Sequence, residues 1–195
     1  MRQPLFAAAL LAAFLAGAPA RATETYAIDQ RFGEIGFSVR HLGLFGSEGQ
    51  FGRWQGQLAI DQAHPERTRI AVTIDTGSAQ MSWHEALAML RSPAYFDVAQ
   101  FPEARFTSTA VTSAGPDRYT IAGDLQLRGV VRPITLQARL VDHVRQGQAD
   151  IADFVVTGAL QRSAFGMTSD SSFVSDRVGL EIRARVRLDE AARGD

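Results

Sequence analysis

No cysteine occurs anywhere in the 195-residue chain, which excludes disulfide staples, thiol nucleophiles, zinc knuckles and iron-sulfur clusters together. Lysine and asparagine are missing too, so every basic side chain is arginine. A GC-rich genome accounts for that bias more economically than a binding specialisation. With a net charge of −1 and no block of basic residues, nothing points to a nucleic-acid partner. Histidine is scarce: His41, His64, His84 and His143 are scattered, and none lies three or four residues from another as paired metal ligands do.

Long apolar runs are also rare. The single one, "LFAAALLAAFLAGA", follows the basic Arg2 and leads to Ala20-Arg21-Ala22, the small-x-small spacing of a signal-peptidase site. Residues 1–22 are therefore expected to be a secretory leader, and residues 23–195 one exported domain. The run is shorter than the roughly 20 residues of a membrane-spanning helix. An exported domain without disulfides must be held by its apolar core, which a chain of this length can build.

What the sequence does have is alternation. In "DRVGLEIRARVRL", Val178, Leu180, Ile182, Ala184, Val186 and Leu188 share one side of an extended chain, and Glu181, Arg183, Arg185 and Arg187 share the other. Such a strand has one dry and one wet face. "RIAVTID", "DRYTIAGDLQLRG" and "RPITLQARLVD" keep the same rhythm, "ADFVVTGALQR" keeps it less cleanly, and about eight strands result. One segment departs from it. "SWHEALAMLRS" puts Trp83, Leu87 and Leu90 at helical spacing, with Ser82 and Glu85 spaced as a capping box and Pro93 beyond the end. Next, "PAYFDVAQFPEARF" concentrates Tyr95, Phe96, Phe101 and Phe106, a large apolar area in one place. Many one-faced strands with little helix fit a closed barrel or a sandwich.

Catalytic signatures are weak. "GFSVR" lacks the second glycine of a nucleophile elbow, and "GLFGSEGQFG" lacks the Gly-Lys-Ser/Thr ending of a phosphate loop and reads as a tight hairpin. Asp189 and Glu190 fall near the end of the last strand with no enclosed environment to separate their pKa values. Two polar residues stand out against apolar faces. In "GEIGFSVRHLG", His41 shares a face with Ile35, Phe37 and Val39, and Arg162 follows Leu160 on its face. Either brace their strands or meet a ligand head group; for Arg162 the bracing reading is a buried pair with a carboxylate.

The segments "YAID", "IGFSVRHLG", "GQFGRWQGQLAID", "VTIDTGS", "LRSPAYFDVAQFPEARFTST", "YTIAGDLQLRGVVRPITL" and "LQRSAFGM" resemble, in order and spacing, the YceI-like family from about Tyr26 to Leu188. The resemblance implies an all-β fold, an extended eight-stranded antiparallel lipocalin-like barrel with one short helix. It also implies a periplasmic protein that encloses an isoprenoid or other amphiphilic lipid. Phe106-Thr107 and Phe165-Gly166 match the family, and its histidine position falls on His41. Phe32-Gly33 departs from the His-Ser that members often carry.

On that footing the inward wall is expected to include Ile35, Phe37, Val39, Phe51, Trp54 and Phe106. Leu125, Leu136, Phe154, Val156 and Ile182 continue it, with His41 and Arg162 as head-group contacts. No cofactor is required; an isoprenoid lipid or isoprenoid quinone is the candidate guest, and transient membrane contact and a homodimer are compatible with it. Two other classes compete: a solid-cored partner protein that uses the Tyr95–Phe106 passage as an interaction surface, and an enzyme acting on a lipid or quinone head group through His41.

Overall fold

The protein is described by a computed structural model that covers residues 24–28, 30–60, 64–81, 83–147 and 149–189. The expected leader, Ser82 of the expected capping box and the tail after Asp189 lie outside the described residues.

Among the described residues eleven strands form one antiparallel sheet, rather than the roughly eight read from alternation. They are β1 (Glu24–Ile28), β2 (Glu34–His41), β3 (Phe45–Phe51), β4 (Trp54–Ile60), β5 (Arg69–Asp75) and β6 (Ala79–Met81), then β7 (Glu103–Ser113), β8 (Arg118–Leu127), β9 (Val130–Gln146), β10 (Ala149–Gln161) and β11 (Val174–Asp189). The order across the sheet is β1-β4-β5-β7-β8-β9-β10-β11-β2-β3-β6. Strong curling brings edge strand β1 back against β11, so the sheet wraps around its own apolar face as a lipocalin-like half-barrel. Among the described residues a single α-helix, α1 (His84–Arg91), lies beside β6.

Register explains where the alternation is clean. Along β11 every second side chain faces inward, and β10 pairs with it without a slip from Ala149↔Asp189 to Gln161↔Arg177. β9 bulges opposite the Asp153/Phe154 step, skipping Val141. The extra residue in β9 is why its apolar rhythm stops after Leu140 and why Val141 is exposed. A second bulge, between Ser108 and Ala110 of β7, carries the buried row from Ala104, Phe106 and Ser108 over to Val111. On the outer face Arg185 grips Asp153 with two hydrogen bonds of 2.6 and 2.7 Å. The guanidinium beside it holds the Asp153 carboxyl below its ordinary pKa.

Turn chemistry follows the chain's needs. β8 and β9 are joined by Arg128 (φ 51°) and Gly129 (φ 72°), the two left-handed residues that a two-residue hairpin of matching twist demands. Arg128 also ties the hairpin down, donating to the carbonyls of Gly166 (2.8 Å) and Pro93 (2.9 Å). α1 starts one residue later than the capping-box spacing implies: Trp83 is at its N-cap and makes no side-chain cap. The other end is closed by Ser92, whose Oγ donates to the Met89 carbonyl at 2.6 Å.

The core is one cluster on the concave face. Phe106, Ile121, Leu125, Leu136, Val156 and Phe165 are buried in it. Close approach rather than turn geometry fixes Gly123 there, since a Cβ would lie 2.5 Å from the Phe106 ring and 2.6 Å from the Thr107 carbonyl. Gly49 makes the same room for the Phe37 ring.

Candidate functional site

The concave face does not close on itself. It surrounds a cavity of about 570 Å³, several times the ~150 Å³ apolar void that stays dry and accepts benzene and within the usual range of ligand pockets. The competing solid-cored class needs a filled interior, and the concave face instead leaves this hollow between rows from β5, β8 and β11.

Twelve of the thirteen residues singled out from the sequence border this cavity, from Ile35, Phe37 and Val39 on β2 through Phe51 and Trp54 to Phe154, Val156 and Ile182, with Phe106, Leu125, Leu136 and Arg162 between them. His41 does not. It stays on the inward face at the end of β2, but beyond the last cavity-lining residue of that strand, Val39, and its Nε2 meets Ser47 Oγ at 2.8 Å. His41 is a cross-strand brace between β2 and β3, outside the residues that line the cavity. His41→Ala should therefore leave lipid-probe uptake unchanged, measured by fluorescence titration; a marked loss would return the histidine to the site.

Sequence reasoning missed several lining residues. Leu58, Val72 and Ile121 are strand residues on the same inward rows and were within reach of the alternation argument. Leu90, Tyr95 and Phe96 were not, since they come from α1 and the irregular residues 92–101 that cap one end of the barrel. Phe96 enters that end between Phe37 and Phe51, with ring centroids 6.4 and 5.7 Å away.

Arg162 is the one charged residue among the described lining. Only 3% exposed, it donates to four carbonyls: Met167 (2.7 Å), Ser169 (2.7 Å), Val174 (3.0 Å) and Ser175 (3.1 Å). Carbonyls rather than the expected carboxylate partner hold it, and with most of its donors spent on them it acts as a clasp on the 162–175 segment. Below it lies Tyr95, its ring 6.0 Å from the guanidinium carbon and its hydroxyl donating to Asp170 Oδ2 at 2.7 Å. Burial first, then the hydrogen bond to Asp170 and that residue's negative charge, push the Tyr95 pKa up from 10.0 to about 12, against the opposing pull of Arg162. Since the folded value is the higher one, this phenol adds stability that is whole below pH 10.0 and is lost as pH climbs from there to about 12. Tyr95→Phe is expected to flatten that alkaline loss in denaturant titrations at stepped pH; an unchanged slope would refute the assignment.

Among the described residues no group of three or more histidine, aspartate or glutamate side chains is placed to hold a metal ion. The site offers shape and apolar surface, with Thr68, Tyr95, Tyr119 and Arg162 as its few polar groups.

A profile of the YceI-like domain matches residues 26–186. The chain belongs to the YceI-like family. Its curated relatives include Protein YceI of Salmonella arizonae and of Salmonella paratyphi B, each 35% identical over 154 residues, which are 76% of this chain and 78% of theirs. Solved structures share the fold. BcnA of Burkholderia cenocepacia superposes with a TM-score of 0.70 at 23% identity, over 81% of this chain and 98% of that one. A polyisoprenoid binding domain from Saccharophagus degradans, implicated in plant cell wall breakdown, superposes at 0.59 and 15% identity, over 84% and 98%.

The departure from the YceI-like pattern at Phe32-Gly33 now has a physical reason. A Cβ at Gly33 would fall 2.6 Å from the Trp54 ring, so Trp54 can lie flat against the backbone there. Phe32 turns outward, 53% exposed, with the Arg185 guanidinium 4.7 Å from its ring centroid. Neither residue borders the cavity.

Proposed function

We propose that this YceI-like protein encloses the apolar chain of an isoprenoid or similar amphiphilic lipid, an isoprenoid quinone among them, and carries, stores or senses it in the periplasm. The single observation that carries the reading is the hollow: about 570 Å³, walled by aliphatic and aromatic side chains with one charged group at its edge. Burying each CH₂ of a guest there contributes up to ~0.8 kcal/mol, enough over several isoprene units to exceed the cost of association. The polyisoprenoid binding named for the Saccharophagus degradans domain supports the same ligand class. A leader at residues 1–22 supports export, and the matured barrel meets its guest outside the cytoplasm.

Binding rather than turnover suits the geometry. His41 is committed to Ser47, and Arg162 and Tyr95 are committed to carbonyls and to Asp170. Native mass spectrometry of the purified protein tests the proposal. One apolar adduct per chain, removed by organic solvent and restored with geranylgeraniol, is the expected result. A protein that emerges clean and takes up no prenyl probe would overturn it.

A further inference from the structure

Large apolar side chains left in water gather at one end of the barrel. The β2–β3 hairpin turns through Leu42, Gly43 and Leu44 and starts β3 with Phe45; Leu44 is 82% exposed, and Leu42 and Phe45 are more than half exposed. Phe173 joins them, since its carbonyl accepts from the Leu42 N–H at 2.8 Å and its neighbour Val174 pairs with His41. β6 runs along β3 toward the same tip, from Ala79 opposite Phe51 to Met81 opposite Gly49, and two residues later the chain presents the exposed Trp83. A hairpin turn with this much apolar surface gives up stability in water, for which intramolecular packing offers no return.

The charges around the tip are mixed: Arg40 and Arg177 are exposed beside it, as are Glu48, Glu85 and Asp176. Asp170 accepts from Tyr95, and Asp176 accepts from the backbone and hydroxyl of Ser163 at 2.8 Å each, so among the described residues no ion pair ties the tip to the barrel through these acids and apolar surface is what distinguishes it. Five side chains on separate loops fall short of the ~800 Å² that each partner of a stable protein pair buries. An aromatic and aliphatic tip that adjoins an apolar hollow matches instead an interface where apolar groups enter the acyl boundary of a bilayer.

We infer that the tip formed by Leu42, Leu44, Phe45, Phe173 and Trp83 docks on a phospholipid bilayer surface. The inference deepens the lipid-binding reading. Val39 and Val174, both on the cavity wall, adjoin the tip directly, so docking sets the Arg162 end of the hollow against the membrane in which a prenyl lipid dissolves.

Flotation of the purified full chain with vesicles tests it. Binding is expected to vesicles of phosphatidylcholine with phosphatidylglycerol, with a blue shift in emission from Trp83, because the other tryptophan, Trp54, is already buried. The double variant Leu44→Ser/Phe45→Ser should lose at least about tenfold in vesicle affinity, roughly 1.4 kcal/mol. A control, Val141→Ser/Val144→Ser, replaces exposed residues at the opposite end and should bind as the parent does. Absence of flotation, flotation undiminished in the double variant, or a dimer abolished by that variant in sedimentation without any vesicle binding would each overturn the inference. Uptake of geranylgeraniol from cyclodextrin is expected to be equal in the parent and the double variant. That measurement keeps a failure of docking distinct from a failure of lipid binding.

Discussion

Arg162→Met is expected to lower the free energy of unfolding by about 3–5 kcal/mol, the cost of breaking a buried charged network from one side. The reason lies in what the guanidinium holds. Its four carbonyl partners come from Met167, Ser169, Val174 and Ser175, so one planar group organises the whole connection between β10 and β11. Methionine fills much of the same space and donates nothing. Carbonyls left buried without a donor each cost about 1–3 kcal/mol, and those of Met167 and Val174 face bonds that are fully buried. Arg162→Lys should recover only part of the loss, because an ammonium is a point charge whose donors do not match a planar fork. Urea titration gives the size of the effect, and amide exchange at Val174 and Met167 gives its place. A loss below about 1 kcal/mol in Arg162→Met, inside the ordinary range for a surface change, would mean that the loop is held by something else.

This clasp also marks the limit of what alternation could say. Period 2 identified Arg162 as a polar residue following an apolar face, but the choice between carboxylate, head group and carbonyl depends on how the chain folds back at residues 167–175, where no periodicity operates. β11, β8 and β9 were readable because each is half-buried along its length, and an inward row written in every second residue survives into the structure as cavity wall. β1 and β6 are beyond the reach of the pattern: five and three residues long, they sit at the sheet edges and carry too few repeats of the alternation to distinguish them from loop. β3 was half-seen, as a hairpin arm, since "FGSEGQF" gives up side chains where Phe37 needs space. His41 fell on the right face and still missed the cavity, because facing is set by parity while depth along the barrel is set by where the hairpin turns. The family resemblance supplied what pattern could not, the choice of a curled sheet around a hollow over a sandwich, and the matched domain and shared fold bear it out.

Ala138→Phe is expected to abolish capture of a prenyl lipid while leaving the protein folded and at least as stable as the parent. Ala138 is 6% exposed and sits in mid-barrel on β9, opposite Tyr119 on β8 and Val156 on β10, all three bordering the cavity. Its small side chain leaves the space beside the Tyr119 and Phe154 rings, whose centroids are 6.4 Å apart. A phenyl group added there enters a void instead of a packed core, so the strain that usually follows small-to-large substitution is offset by surface taken out of an unfilled cavity, where emptiness itself costs about 24 cal/mol per Å³. For a long chain threaded past that point the same ring is an obstruction, and rerouting it would forfeit the buried length beyond. Affinity should fall by more than about a hundredfold, roughly 2.7 kcal/mol. The paired measurements separate the explanations: thermal unfolding reports whether the barrel is intact, and titration with geranylgeraniol reports whether it is blocked. Undiminished binding by a folded Ala138→Phe protein would place the guest outside the hollow, and the proposed function would lose the observation on which it stands.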